Sequence, residues 1–228
     1  MTRSWNAATL AESDHMTPAR CEKDETLRYL GYGGQELTPE IATRIKEAKV
    51  RCERIARPAA TWRVFPSESL RLPGNDITAH LAGAREIVLM AATLGHGVDR
   101  ELRRLSLTDP LGQVIFDAAS TAAVERLSDE IEAQIRFEAR NRRLYCSWRF
   151  SPGYGDLPLS VQGELLVRLD AERRLGITLT PSNLMVPTKS VTAIIGLHPT
   201  PQPGVASSCS VCSLRPSCSM RERGMTCR

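Results

Sequence analysis

The chain has 228 residues, 42% hydrophobic and 25% charged, with a net charge of +4, and a core of this size needs no covalent staples. Aromatic residues at 5% leave few platforms for stacked bases, so nucleic acid is not an expected partner. No apolar run reaches the roughly 18 residues of a membrane span, and Met1 to Arg20 is polar, without the apolar centre of a signal peptide. A cytoplasmic protein is expected, in which seven cysteines point to metal or redox use rather than a disulfide framework.

Met1 to about Lys23 carries no periodicity and reads as a frayed lead-in, a flexible N-terminus over residues 1–24. Glu25 to Leu30 runs into a breaker cluster, Gly31-Tyr32-Gly33-Gly34. From about Thr38 to Arg57 a helix is predicted, with Thr38 as N-cap, Pro39 in the first turn, and a stripe of Ile41, Ile45, Ala48, Cys52 and Ile55. Cys52 belongs to that stripe and reads as core. Ala60 to Phe65 alternates as a strand does, and Leu70-Arg71-Leu72 reads as a second short strand. Ile77 to Gly83 predicts a short helix in which His80 has a structural role. Arg85 to Gly95 predicts a buried strand ending in Gly95-His96-Gly97, where His96 is either a loop residue or faces a ligand.

A helix from Val98 to about Leu105 precedes the longest helical pattern, which starts at Asp109-Pro110 and ends near Arg142. Phe116, Ser120, Val124, Leu127, Ile131 and Ile135 form its continuous apolar stripe. Glu125, Asp129, Glu130 and Glu132 lie off that stripe, as acids of a solvated face do. Leu144 to Arg149 predicts a strand that delivers the loop Arg149-Phe150-Ser151-Pro152-Gly153-Tyr154-Gly155-Asp156. Gly153 and Gly155 admit positive φ and unshielded N–H groups, and Arg149 can fork a carboxylate or phosphate. The same residues would also make a plain surface turn. Beyond the loop, Leu159 to Leu175 predicts one helix stopped by Gly176, followed by short strands at Ile177–Thr180 and Lys189–Leu197 around the Pro181-to-Pro187 turn.

Taken together, R-x-S-P-G-Y from Arg149, a helix of about 20 residues, G-I-x-L-T-x-S-x-x-M-x-P from Gly176, and Ser190-Val191 follow one another at a spacing that resembles the activation domain of vitamin B12-dependent methionine synthase. Leu27 to Tyr32, Met90 to Gly95 and Asp117 to Ser120 resemble free-standing forms of that domain. The resemblance spans about residues 25–198. It implies an α+β fold, a twisted antiparallel sheet with flanking helices, that binds S-adenosylmethionine and serves cobalamin held elsewhere. It also implies site roles. Arg149 would hold the methionyl carboxylate, Ser151 and Gly153 would offer main-chain contacts, and Tyr154 would pack beside the ligand. Glu125, in the pattern Val124-Glu125-x-x-x-Asp129, would meet the amino group or sulfonium. No residue is assigned a catalytic role. Two departures stand out: the family's aromatic on the last strand falls on Ile195, and Asp156-Leu157-Pro158 replaces a His-containing segment.

After a Pro-rich linker come Cys209-x-x-Cys212, Cys218 and Cys227, within residues 199–228. Four thiols with no apolar core nearby cannot fold by burial, and a bound metal could supply the folding energy. An iron–sulfur cluster accommodates this uneven spacing; structural zinc and a metal-free reducing tail are the alternatives. The expected function is a free-standing reactivation partner of a cobalamin-dependent methionine synthase or related corrinoid protein, unable to make methionine alone. Flavodoxin or ferredoxin are the candidate electron donors. A non-catalytic metal-binding adaptor on a corrinoid protein is the alternative.

Overall fold

The computed structural model describes residues 18–202 and Pro216. Its centre is a four-stranded antiparallel sheet in the order β1-β2-β6-β3, from β1 (Ala59–Pro66), β2 (Glu86–Thr93), β3 (Tyr145–Cys146) and β6 (Ser190–His198). β2 is apolar from Ile87 to Ala92 because both faces of the sheet are covered. Val88, Met90 and Ala92 point into one apolar cluster and Ile87, Leu89 and Ala91 into another. Ala193, Ile195 and Leu197 of β6 join the first cluster and Ile194 the second.

The first cluster is closed by α1 (Lys23–Tyr29), α2 (Pro39–Ile55), α4 (His96–Thr108) and α5 (Pro110–Asn141). As expected, Thr38 caps α2 by accepting from the Ile41 N–H, and Cys52 is fully buried. Asp109 caps α5, accepting from the Gly112 N–H at 3.0 Å. All six residues of the α5 stripe are buried, and the Ser120 hydroxyl is satisfied by donating to the Phe116 carbonyl at 2.8 Å. Ala19 and Cys21 pack into this cluster, so the core begins ahead of the boundary expected at residue 25.

The second cluster lies under α3 (Asn75–His80), α6 (Gln162–Leu169) and α7 (Ala171–Leu175). The single helix expected over Leu159 to Leu175 is in fact broken. Leu159–Val161 is a 3₁₀ turn, and Asp170 between α6 and α7 is left-handed at φ 54°. Asp is among the residues that tolerate this conformation, and its carboxylate accepts from Arg173 Nε at 2.7 Å. Apolar spacing could not reveal the break, since Leu165, Leu166, Leu169 and Ala171 are all buried. A separate hairpin, β4 (Thr178–Leu179) with β5 (Met185–Val186), turns through left-handed Asn183. Leu70-Arg71-Leu72 forms no strand; Leu70 instead reaches the second cluster from a loop.

The edge of the sheet positions the site. Instead of a strand from Leu144 to Arg149, β3 ends at Cys146, which pairs with Leu197, and Phe150 re-pairs with Ile194. Four residue steps on the edge thus oppose three on β6. Such a bulge re-aims side chains, and it contains Arg149.

Candidate functional site

One face of α5 carries Glu125, Asp129, Glu132 and Arg136, the near-neighbour spacing of a helix surface. Arg149 comes to this face from the bulge. Its Nη2 lies 2.8 Å from Asp129 and 3.3 Å from Glu125, and its Nε lies 3.3 Å from Glu132. The Arg149 side chain is only 5% exposed, yet its Nη1 is buried without a hydrogen-bond partner among the described residues. Buried guanidinium donors are costly to leave unmatched, so this nitrogen marks a place for an acceptor.

Arg136 holds the arrangement in register. Its Nε donates to Glu132 at 2.8 Å, while Nη1 and Nη2 donate to the carbonyls of Cys146 and Ser147 at 3.0 and 2.9 Å. The acids expected on a solvated face therefore include Glu125 and Glu132, with side chains only 28% and 16% exposed. Docking of the sheet edge against α5 shields them. Burial raises the Glu125 carboxyl above its ordinary pKa, and the neighbouring Asp129 charge adds to this against the opposing pull of Arg149. α1 approaches from the side. Tyr29 is raised first by burial and then by the Glu125 charge, and Arg28 stacks over the Tyr29 ring at 4.4 Å while pairing with Glu25 at 2.8 Å.

The glycine loop is tied largely to itself. Gly153, at φ +92°, donates its N–H to the Leu157 carbonyl at 2.8 Å, and the Tyr154 N–H donates to the Ser151 carbonyl at 3.0 Å. The Gly153 N–H, expected to be open to a ligand, is thus used inside the turn. Tyr154 tilts against Phe150, 6.2 Å between centroids, at the rim of the second cluster. Asp156, in the segment that replaces the family's His-containing one, accepts from the N–H groups of Asn75 and Asp76 at 2.6 and 3.1 Å. It caps α3 across 81 positions of sequence, and the close approach of Asp76 leaves no room for a Cβ on Gly155. Ile195 is fully buried in the first cluster.

A family model described as the activation domain of vitamin B12-dependent methionine synthase matches residues 76–203, more than half of the chain. The chain belongs to that family. Among solved structures, the MetH reactivation domain bound to AdoHcy superposes with a TM-score of 0.56 at 17% identity, covering 89% of this chain and 82% of that one. The two share the reactivation-domain fold. No curated protein matches.

Within this activation-domain fold, Arg149 and Glu125 of the expected site meet directly, and Ser151, Gly153 and Tyr154 follow on the adjoining turn. Asp129, Glu132 and Arg136 were missed as site residues. Their spacing of four, three and four from Glu125 was the available signal. His96, the first residue of α4, is exposed. Cys209, Cys212, Cys218 and Cys227 lie outside the described residues, and among those described no His, Cys, Asp and Glu group is arranged to hold a metal. No helix among them is long and apolar enough to cross a membrane.

His80 backs the bulge. Its Nε2 lies 2.9 Å from both the Trp148 carbonyl and the Ser147 hydroxyl, and its ring packs on Trp148. Burial lowers its pKa from 6.5 to about 4. The unfolded chain therefore takes up the proton first: stability is full above pH 6.5 and declines as pH falls toward 4. Between pH 7.5 and 5 wild-type unfolding free energy should drop by about 2 kcal/mol through this residue. Urea melts at the two pH values should show a correspondingly smaller drop in His80→Gln.

Proposed function

We propose that this chain binds S-adenosylmethionine at Arg149 and serves as the reactivation partner of a cobalamin-dependent methionine synthase or a related corrinoid protein. The observation that carries this reading is the buried Arg149 guanidinium with an unmatched Nη1. It fits the carboxylate of an amino-acid ligand, for which a fixed fork is the suited partner. Glu125, 3.3 Å from Arg149, is placed for the ligand's ammonium, and Ser151, Gly153 and Tyr154 follow Arg149 on the adjoining turn. The neighbouring fold's AdoHcy-bound state is consistent with an adenosyl ligand here.

In the proposed reaction, one electron from a flavodoxin- or ferredoxin-type donor and the ligand's methyl group convert the partner's cob(II)alamin to methylcobalamin. The C–S bond breaks with its electron pair kept by sulfur, leaving S-adenosylhomocysteine. This chain's residues bind and orient, since the reacting centre belongs to the partner. The four tail cysteines are read as ligands of an iron–sulfur cluster. Anaerobically purified protein should contain iron with acid-labile sulfide, whereas zinc without sulfide would favour a structural site.

Calorimetric titration of the full chain with S-adenosylmethionine tests the binding, and reductive methylation of a corrinoid partner tests the role. Saturable heat and methylcobalamin formation are expected. A chain that gives neither is not a reactivation partner, and with zinc in its tail it would be a docking adaptor.

A further inference from the structure

We propose that Asp129 is a specificity residue that selects the cationic sulfonium over the neutral thioether. The inference rests on S-adenosylmethionine binding at Arg149 and assigns a role to a residue for which that reading had no use. It follows from the charges around the guanidinium. Glu132 is shared between Arg149 and Arg136, which donates to it at 2.8 Å. Arg28 is matched by Glu25. Glu125 and Asp129 are left with one cationic nitrogen between them, Nη2 of Arg149. A ligand carboxylate that enters at Nη1 and draws on the same guanidinium reduces what each acid receives from it.

Two carboxylates sharing one cationic nitrogen can then accept two further cations. The methionyl part of the ligand supplies two, an ammonium and a sulfonium three carbons apart. Glu125 and Asp129 are four residues apart on one helix face, about 6 Å between Cβ atoms, a spacing that this chain of carbons can bridge. Glu125 is the more enclosed and suits the ammonium, which brings three donors to satisfy a buried acceptor. Asp129, 59% exposed, stands at the open side. It can face a sulfonium, which offers charge but no hydrogen to donate. S-adenosylhomocysteine lacks that charge and leaves Asp129 with only its share of the Arg149 guanidinium, so after methyl transfer the product is held less tightly than the substrate.

The test is a pair of titrations, S-adenosylmethionine and S-adenosylhomocysteine, on wild-type full chain, Asp129→Asn and Asp129→Glu at low ionic strength. Wild type should prefer the sulfonium by roughly fivefold, Asp129→Asn should bring the two affinities together, and Asp129→Glu should keep the preference. A merely structural role for Asp129 would weaken both ligands alike and leave the ratio unchanged. A wild-type ratio near one, or a ratio that survives Asp129→Asn, overturns this inference while leaving ligand binding at Arg149 intact. Failure of wild type to bind either ligand overturns both.

Discussion

Arg149→Ala should lower the affinity for S-adenosylmethionine by roughly a hundredfold or more, since charge-assisted bonds to a shielded carboxylate are among the strongest single contacts. The substitution also removes the cation that Glu125, Asp129 and Glu132 share, which should cost about 2 kcal/mol of folding stability. Arg149→Lys separates the two effects. The lysine keeps a positive charge beside the three acids and should hold most of the stability. It loses the rigid fork, and with it about tenfold in affinity. Calorimetry on the variants, alongside thermal melts followed by circular dichroism, reads both quantities. If Arg149→Ala stays folded and binds the ligand as wild type does, the site has been misplaced and the glycine loop is only a turn.

Arg136→Ala is expected to be the most damaging change at a residue that does not contact the ligand. Three bonds are lost together: one to Glu132 and one each to the Cys146 and Ser147 carbonyls. The carbonyls belong to the sheet edge at the start of the bulge, so α5 and that edge lose their charged clamp. Charge-assisted bonds are worth about 1.5–3 kcal/mol each when partners are shielded. Arg136 is about one-third exposed, so a total of about 3 kcal/mol is the reasonable expectation. Glu132 would turn wholly to Arg149, shifting the guanidinium from its position for the ligand, and affinity should fall roughly tenfold. Urea unfolding and ligand titration on one preparation check both. A loss of affinity without any loss of stability would contradict a clamping role.

Much of this protein is legible in the order of its residues because the relevant physics is local. The α5 stripe is set by a period of 3.6 along one helix, and its start by Asp109-Pro110. The apolar run of β2 and the caps at Thr38 and Gly176 are equally local. Arg149 and Glu125 could be singled out as a pair by resemblance to the activation-domain family, and the fold brings them to 3.3 Å.

What could not be read are the features made by contact between distant segments. Asp156 looks like a lost histidine segment until it is seen to cap α3 at Asn75 and Asp76. Asp129 and Glu132 are ordinary surface acids in a helical pattern; only the sheet edge docking on α5 encloses Glu132 and supplies the guanidinium they share. The break at Asp170 likewise leaves no trace in hydrophobic spacing, because both halves bury the same kind of residue. Sequence by itself determined α2, α4 and α5, the inner strands, the core stripe and the loop that bears Arg149, since propensity, capping and periodicity act over a few residues. Tertiary structure alone decided which carboxylates surround that arginine, which of its nitrogens is left without a hydrogen-bond partner among the described residues, and how the edge is bulged to aim it. Burial and charge pairing are properties of surfaces that meet only after folding.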